Sequence, residues 1–267
     1  MPKRGPTRLP VLFVSHGSPM VALEADDYTR ALQTWPTAIP RPAAIVVVSA
    51  HWQAPRPVRV GTSAAPATIH DFYGFPPELY VLRYAPPGAP VLAATIVEQL
   101  REAGIPAEPD SRRGLDHGAW VPLRFLYPDA DVPVVAISLA APARPQELLA
   151  LGRALAPLRT EGVLIFGSGG VVHNLGRLDR RGEHAPLAPW AQAFDDWVRS
   201  RLEAKDVDAV AAYERLSPEA SLAVPTSEHF DPLLVALGAA AGDGRVDDIY
   251  AGFRYGTLSM RSFALSG

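Results

Sequence analysis

The sequence predicts an α/β protein, a single domain over residues 1–267 with a mixed, largely parallel central sheet flanked by helices on both faces. Two observations carry that expectation. Runs such as "VLFVS", "AIVVVS", "VPVVAISL" and "GVLIFGSG" are apolar, β-branched and bounded by Pro or Gly. They are too short for a core helix and read as strands buried on both faces. Stretches with helical spacing alternate with them, and no linker, repeat or low-complexity run interrupts the alternation. A third observation points beyond the fold: the first two strands both run out into histidine, in "SHGSP" and "SAHW".

In chain order, residues 10–15 read as a buried strand, and the spacing predicts a helix over 27–35 that stops before Pro36. Residues 44–49 form the second buried strand, and the alternating stretches 57–63 and 79–84 read as strands. The clearest amphipathic helix spans 90–104, with Pro90 at its start and Gly104 at its end. "GLDHGAWVPL" reads as a Gly-flanked loop holding His117. A strand over 132–139, a helix over 144–158 and a strand over 162–169 follow. Helices are predicted over 188–204 and 229–242, the first with Trp190, Phe194 and Trp197 on a core face. Residues 247–265 close the chain as a hairpin or strand pair.

Composition narrows the function. A net charge of −3 gives no electrostatic footprint for nucleic acid. No apolar run approaches twenty residues, and the basic N-terminus is followed by too short an apolar stretch for a signal peptide. A cytoplasmic protein without membrane contact is expected. Cysteine is absent, so a metal ion would have to be held by His, Asp or Glu.

Seven histidines occur, at 16, 51, 70, 117, 173, 184 and 229. In open α/β sheets, ligands bind outside the carboxyl ends of the strands. His16 and His51 lie at such ends, His173 follows a buried strand and three glycines, and His229 stands where a helix begins. A single one of these is an ordinary polar loop residue. Several at one sheet edge suggest a metal site, because imidazole is the commonest metal ligand and the usual acid–base group near neutral pH. His184 lies in a polar loop and reads as a bystander. His70 and Tyr73 belong to the aromatic stretch "HDFYGFP", which lines an aromatic-substrate pocket or forms a packed turn, and Trp52 is a further candidate contact. The "GSGG" stretch is neither a phosphate loop nor a nucleophile elbow.

Taken together, "SHGSP", "SAHW", "HDFYGFP", "DHGAWVPL", "GSGGVVHNL" and "EHFDPLLVALGAA" resemble the class III extradiol ring-cleavage dioxygenases, in the DOPA 4,5-dioxygenase-like branch. The motifs keep family order and span residues 10–263. The resemblance implies a mononuclear non-haem Fe(II) site that opens a catechol beside its hydroxyls and inserts both atoms of O₂. It implies His16, His51 and His229 as metal ligands. The wider superfamily has a glutamate as third ligand, and Glu228 adjoins His229 here, but the DOPA-dioxygenase branch favours His229. By the same resemblance His173 is the acid–base histidine, with a second role as a fourth ligand, and His117 orients O₂ or substrate. One divalent ion is thus the expected cofactor. Fe(II) is expected for activity, while imidazole-rich sites also take Zn(II) readily. The expected partners are a small catechol and O₂. Other readings are a tetrapyrrole metal chelatase, a non-redox zinc hydrolase and a zinc-binding structural protein.

Overall fold

The computed structural model describes residues 8–267. The N-terminal basic stretch over 1–7, from which no signal peptide was expected, lies outside the described residues. The strands in chain order are β1 (Val11–Ser15), β2 (Ala44–Ala54), β3 (Val58–Gly61), β4 (Ala107–Asp110), β5 (Val134–Ala140), β6 (Val163–Gly169) and β7 (Arg245–Tyr250). A two-residue hairpin of β8 (Phe253–Arg254) and β9 (Leu258–Ser259) precedes β10 (Ser262–Ser266). Eight of them form one sheet in the order β4-β3-β5-β2-β6-β1-β10-β7. The central four, β5, β2, β6 and β1, are parallel, so their carboxyl ends share one edge. β10 runs antiparallel to β1 and β7, and β3 antiparallel to β5.

The helices are α1 (Asp27–Thr34), α2 (Pro77–Val81), α3 (Pro90–Glu102), α4 (His117–Leu126), α5 (Pro145–Leu155), α6 (Pro189–Glu203), the short α7 (Val207–Ala211), α8 (Tyr213–Leu216) and α9 (Ala220–Ala223), and α10 (Asp231–Ala239). Period-two alternation in the central strands feeds two cores. Val11, Phe13, Val46, Val48 and Ile165 face α3, α5, α6 and α10. Leu12, Val14, Ile45, Val47 and Phe166 face the side of α1 and α4. This is the covered-on-both-faces sheet that the buried β-branched runs predict. Among the described residues, no helix is long and apolar enough to cross a membrane.

Three local expectations are corrected. The stretch 79–84 is not a strand: α2 begins at Pro77 and closes with Leu79 N–H donating to the Pro76 carbonyl at 3.1 Å. Only Leu79 of that turn is buried, so its alternation has no sheet to face. The region around His117 is not a loop but the start of α4. Asp116 caps it by accepting from Ala119 N–H at 3.2 Å, and Pro122 sits inside the helix. The polar "AEPD" segment, unread as structure, pairs with β3 at the sheet edge, where Pro109 is tolerated.

Candidate metal centre

Five parts of the chain deliver imidazoles to the carboxyl edge of the sheet. His16 directly follows β1, and its backbone N–H donates to the Gly169 carbonyl at 3.1 Å, prolonging the β1–β6 ladder by one rung. His51 lies within β2 at an irregularity. The β2–β5 pairing passes from Val48↔Ile137 to Gln53↔Leu139, leaving Ser49–Trp52 unpaired on that side. Such a bulge re-aims side chains. His229 closes a single 3-10 turn before α10 and is held by glycines on β6. A Cβ on Gly169 would stand 2.1 Å from the His229 carbonyl oxygen, and Gly170 N–H donates to that oxygen at 2.8 Å. The glycines after β6 therefore admit the His229 segment against the strand.

Three ring nitrogens converge. His51 Nε2 lies 3.0 Å from His16 Nε2 and 3.3 Å from His229 Nε2. Two of the rings, His16 and His229, are anchored at their other nitrogen. His16 Nδ1 faces Ser168 Oγ at 3.0 Å, and Ser168 donates its own proton to the Gly118 carbonyl. That carbonyl is available because Pro122, four residues on, has no N–H to offer it. A hydroxyl that donates elsewhere must accept from His16, which puts the proton on Nδ1 and the lone pair on Nε2. His229 Nδ1 faces Glu228 Oε1 at 3.3 Å, which sets the same tautomer. Glu228 also accepts from Thr226 Oγ1 at 2.8 Å, so its carboxylate is engaged behind His229.

The electrostatics agree with an electron-pair-rich pocket. Burial, then the charges of neighbouring imidazoles, hold His16 well below its ordinary value. The same causes bring His51 down to about 2. Burial, with His229 next, brings His173 down to about 3. Burial also lowers His229, against a smaller opposite pull from Glu228. Neutral imidazoles are the metal-binding form. Two lone pairs directed at each other across 3 Å need a cation or a shared proton between them, so the residues fit a divalent ion.

His117 and His173 complete the cluster. The His117 ring is 4.0 Å from that of His51, and its Nδ1 lies 3.1 Å from Asp71 Oδ2 in poor alignment. Asp71 also accepts from the His117 backbone N–H at 2.9 Å and stands 3.7 Å from His51 Nδ1. Burial pushes the Asp71 carboxyl up, but His117 outweighs this and brings it to about 2. The His173 ring stacks on His229 at 3.4 Å and 8°. By distance alone, nitrogens of His16, His51 and His117 also fall within 4.8 Å of one another. His229 differs from His117 in that its outer nitrogen is hydrogen-bonded to a carboxylate and its inner one meets His51.

A cavity of about 380 Å³ opens onto His51, His117, His173 and His229, while His16 is buried beneath at 1% exposure. Its volume is in the range of small-molecule sites. The aromatic stretch reaches it through Phe72 and Phe75. The three residues expected to touch substrate, His70, Tyr73 and Trp52, are not among the residues lining this cavity. Tyr73 is 91% exposed and points away from packing. His70 donates from Nε2 to the Leu82 carbonyl at 3.1 Å among Phe72, Tyr80 and Trp120, and so belongs to a packed turn. Trp52 is buried with the Arg113 guanidinium 5.4 Å over its ring. His184 is exposed and apart from the cluster. Sequence reasoning missed Asp71, Ser168 and Asp116. The "HD" and "DH" pairs were the available signal for the two aspartates.

Residues 10–262 match the family described as the catalytic LigB subunit of aromatic ring-opening dioxygenase. The chain belongs to that family, and it is an extradiol ring-cleaving dioxygenase. It is 43% identical over 259 residues to the 4,5-DOPA dioxygenase extradiol of Escherichia coli K12, covering 96% of this chain and 94% of that one. It is 40% identical over 255 residues to the protein of the same name from Beta vulgaris, covering 94% of each. The fold superposes on the crystal structure of uncharacterized protein JW3007 from Escherichia coli K12 with a TM-score of 0.83 at 37% identity, covering 97% of this chain and all of that one. Enzymes of this family are metal-dependent. The chelatase, hydrolase and structural-protein readings are not favoured by these relationships.

Proposed function

We propose that His16, His51 and His229 hold one divalent ion, Fe(II) in the active enzyme, and that a substituted catechol is opened beside its hydroxyls in the adjoining cavity, with both atoms of O₂ entering the product. The observation that carries this reading is the convergence of three Nε2 atoms, two of them on rings whose partner nitrogens are anchored. A three-imidazole face leaves positions for substrate and O₂. A redox-active ion there supplies the electron transfer between the deprotonated catechol and O₂, which Zn²⁺ cannot. His173 is the acid–base group. It enters the reaction neutral, because burial disfavours its cation, and no described residue hydrogen-bonds its ring nitrogens. His117, backed by Asp71, orients what lies over His51. Phe72, Phe75 and Leu258 keep water from the reacting atoms. The family match over 10–262 supports one catalytic domain across the chain.

The test is anaerobic reconstitution with Fe(II) or with Zn(II), followed by a catechol panel in air-saturated buffer. Fe(II)-loaded protein is expected to consume O₂ and form yellow ring-opened semialdehydes, and Zn(II)-loaded protein to do neither. Equal turnover by both metals would sink the reading.

A further inference from the structure

The cavity wall differs from what an amino-acid substrate requires. Its apolar lining is Pro19, Phe72, Phe75, Leu175, Leu178 and Leu258. Apart from backbone, its polar lining is Ser18, the Tyr255 side chain and four imidazoles. The Ser18 hydroxyl is engaged, accepting from Met20 N–H at 3.2 Å. Among the described residues, no Lys, Arg, Asp or Glu lines the cavity.

The guanidinium groups close to this wall in the chain are committed elsewhere. Arg254, next to the lining Tyr255, pairs with Glu24, Asp26 and Glu183. Arg113 donates to the His51 carbonyl and to Asp116. Arg177, between Leu175 and Leu178, is exposed and does not line the cavity. Leu175, by contrast, stands 61% exposed on the wall, an apolar surface that a substituent would cover.

We propose that this cavity selects catechols whose ring substituent is uncharged and apolar, such as alkyl or aryl groups, over catechols carrying an amino-acid side chain. The proposal rests on the reading that the cavity is the catechol site. It departs from the substrate that the names of the relatives print. A carboxylate or ammonium brought against Phe75, Leu175 and Leu178 would shed water without meeting a counter-charge, which is unfavourable. A hydrocarbon tail of similar length would shed water from its own surface and from Leu175, which is favourable.

The experiment is calorimetric titration of Zn(II)-loaded protein, which cannot turn over, with 4-propylcatechol, 3-(3,4-dihydroxyphenyl)propionate and L-DOPA. Turnover of the same three by Fe(II)-loaded protein follows. 4-Propylcatechol is expected to bind at least about tenfold tighter than L-DOPA, with kcat/KM in the same order. Leu175→Arg is expected to move the preference toward the propionate. L-DOPA binding as tightly as 4-propylcatechol would overturn the proposal. So would an L-DOPA preference that disappears in Arg177→Gln, which would assign carboxylate recognition to Arg177. If O₂-dependent cleavage occurs but favours L-DOPA, only the selectivity falls. If no catechol binds or is cleaved, the catechol-site reading falls and takes the selectivity with it.

Discussion

Two pairs of rings line the cavity, His51 with His117 and His173 with His229, and they are held in different ways. On the first side a carboxylate stands behind both rings. Asp71 faces both Nδ1 atoms and receives the His117 backbone N–H, while α4 is pinned to β2 by Asp116, which accepts from Ser49 Oγ at 2.6 Å. On the second side Glu228 engages His229 alone, and His173 is positioned by stacking and by its backbone N–H donating to the Ala223 carbonyl at 3.0 Å. A ring held by hydrogen bonds at one nitrogen can direct the other with a set tautomer. A ring held by its face keeps its nitrogens available. The contrast is consistent with the proposed roles, orientation by His117 with Asp71 behind it and proton transfer by His173.

The largest expected effect separates the stacked partners. His229→Ala removes one of the converging nitrogens and is expected to leave the purified protein without stoichiometric metal and without activity. His173→Ala is expected to keep most of the metal while lowering turnover by roughly 10²–10⁴-fold, the usual scale for a lost general acid–base. Metal content by atomic emission and turnover on both variants check this. If His173→Ala is the metal-free one, the roles of the two rings are reversed.

Much of this arrangement was legible before any coordinates. Buried β-branched runs gave the sheet, and the rule that ligands gather at carboxyl ends of parallel strands placed His16 and His51 together. His173 and His229 were legible as candidates from their place after a strand and before a helix, but their roles came only through the family resemblance, because the approach of the His229 segment depends on Gly169 lying flat against a distant carbonyl. The substrate-side residues were misplaced for a related reason. "HDFYGFP" marks an aromatic loop, but which rings turn inward depends on the α2 turn and on Trp120, whose Nε1–H donates to the Ile69 carbonyl at 2.9 Å. The α4 helix was hidden by Pro122, and that same proline leaves the Gly118 carbonyl open for Ser168. A residue that reads locally as a helix breaker thus contributes to the His16 tautomer through tertiary contacts.

A middle-sized effect is expected at Asp71, where the carboxylate-backed side can be weakened without removing an imidazole. Asp71→Asn keeps the shape and still accepts from the His117 backbone N–H, but it loses the charge behind both Nδ1 atoms. Loss of such a supporting partner typically costs 10–100-fold in metal affinity or activity, so a decrease of about that size is expected. Competition with a metal-binding dye, alongside kcat and KM, measures it. Unchanged metal affinity together with unchanged kcat would mean that α4 alone orients these rings.

The smallest effect concerns acid stability of the metal-free protein, and its sign follows from the lowered imidazoles. His173 binds a proton at pH 6.5 when unfolded but only near 3 when folded. Between those values the unfolded state carries more protons, so acidification favours unfolding, beginning as pH drops through 6.5. His51, brought to about 2, acts in the same direction. The Asp71 carboxyl, also near 2, adds its loss only below its ordinary value near 4, so the interval from pH 6.5 to 5 reports mainly the imidazoles. Asp231 opposes them there: burial raises it to about 7, so the folded state takes up its proton first and gains stability on acidification. That contribution is common to wild type and a His173 variant and cancels in their difference. His173→Gln is therefore expected to make the fall in unfolding free energy between pH 6.5 and 5 shallower, by at most about 1.4 kcal/mol per pH unit. Urea denaturation at three pH values in that interval, with chelator present, decides it. Parallel pH dependence in the two proteins would show that the His173 ring is solvated in solution, and the contrast between a buried stacked side and a carboxylate-backed side would then lose its second half.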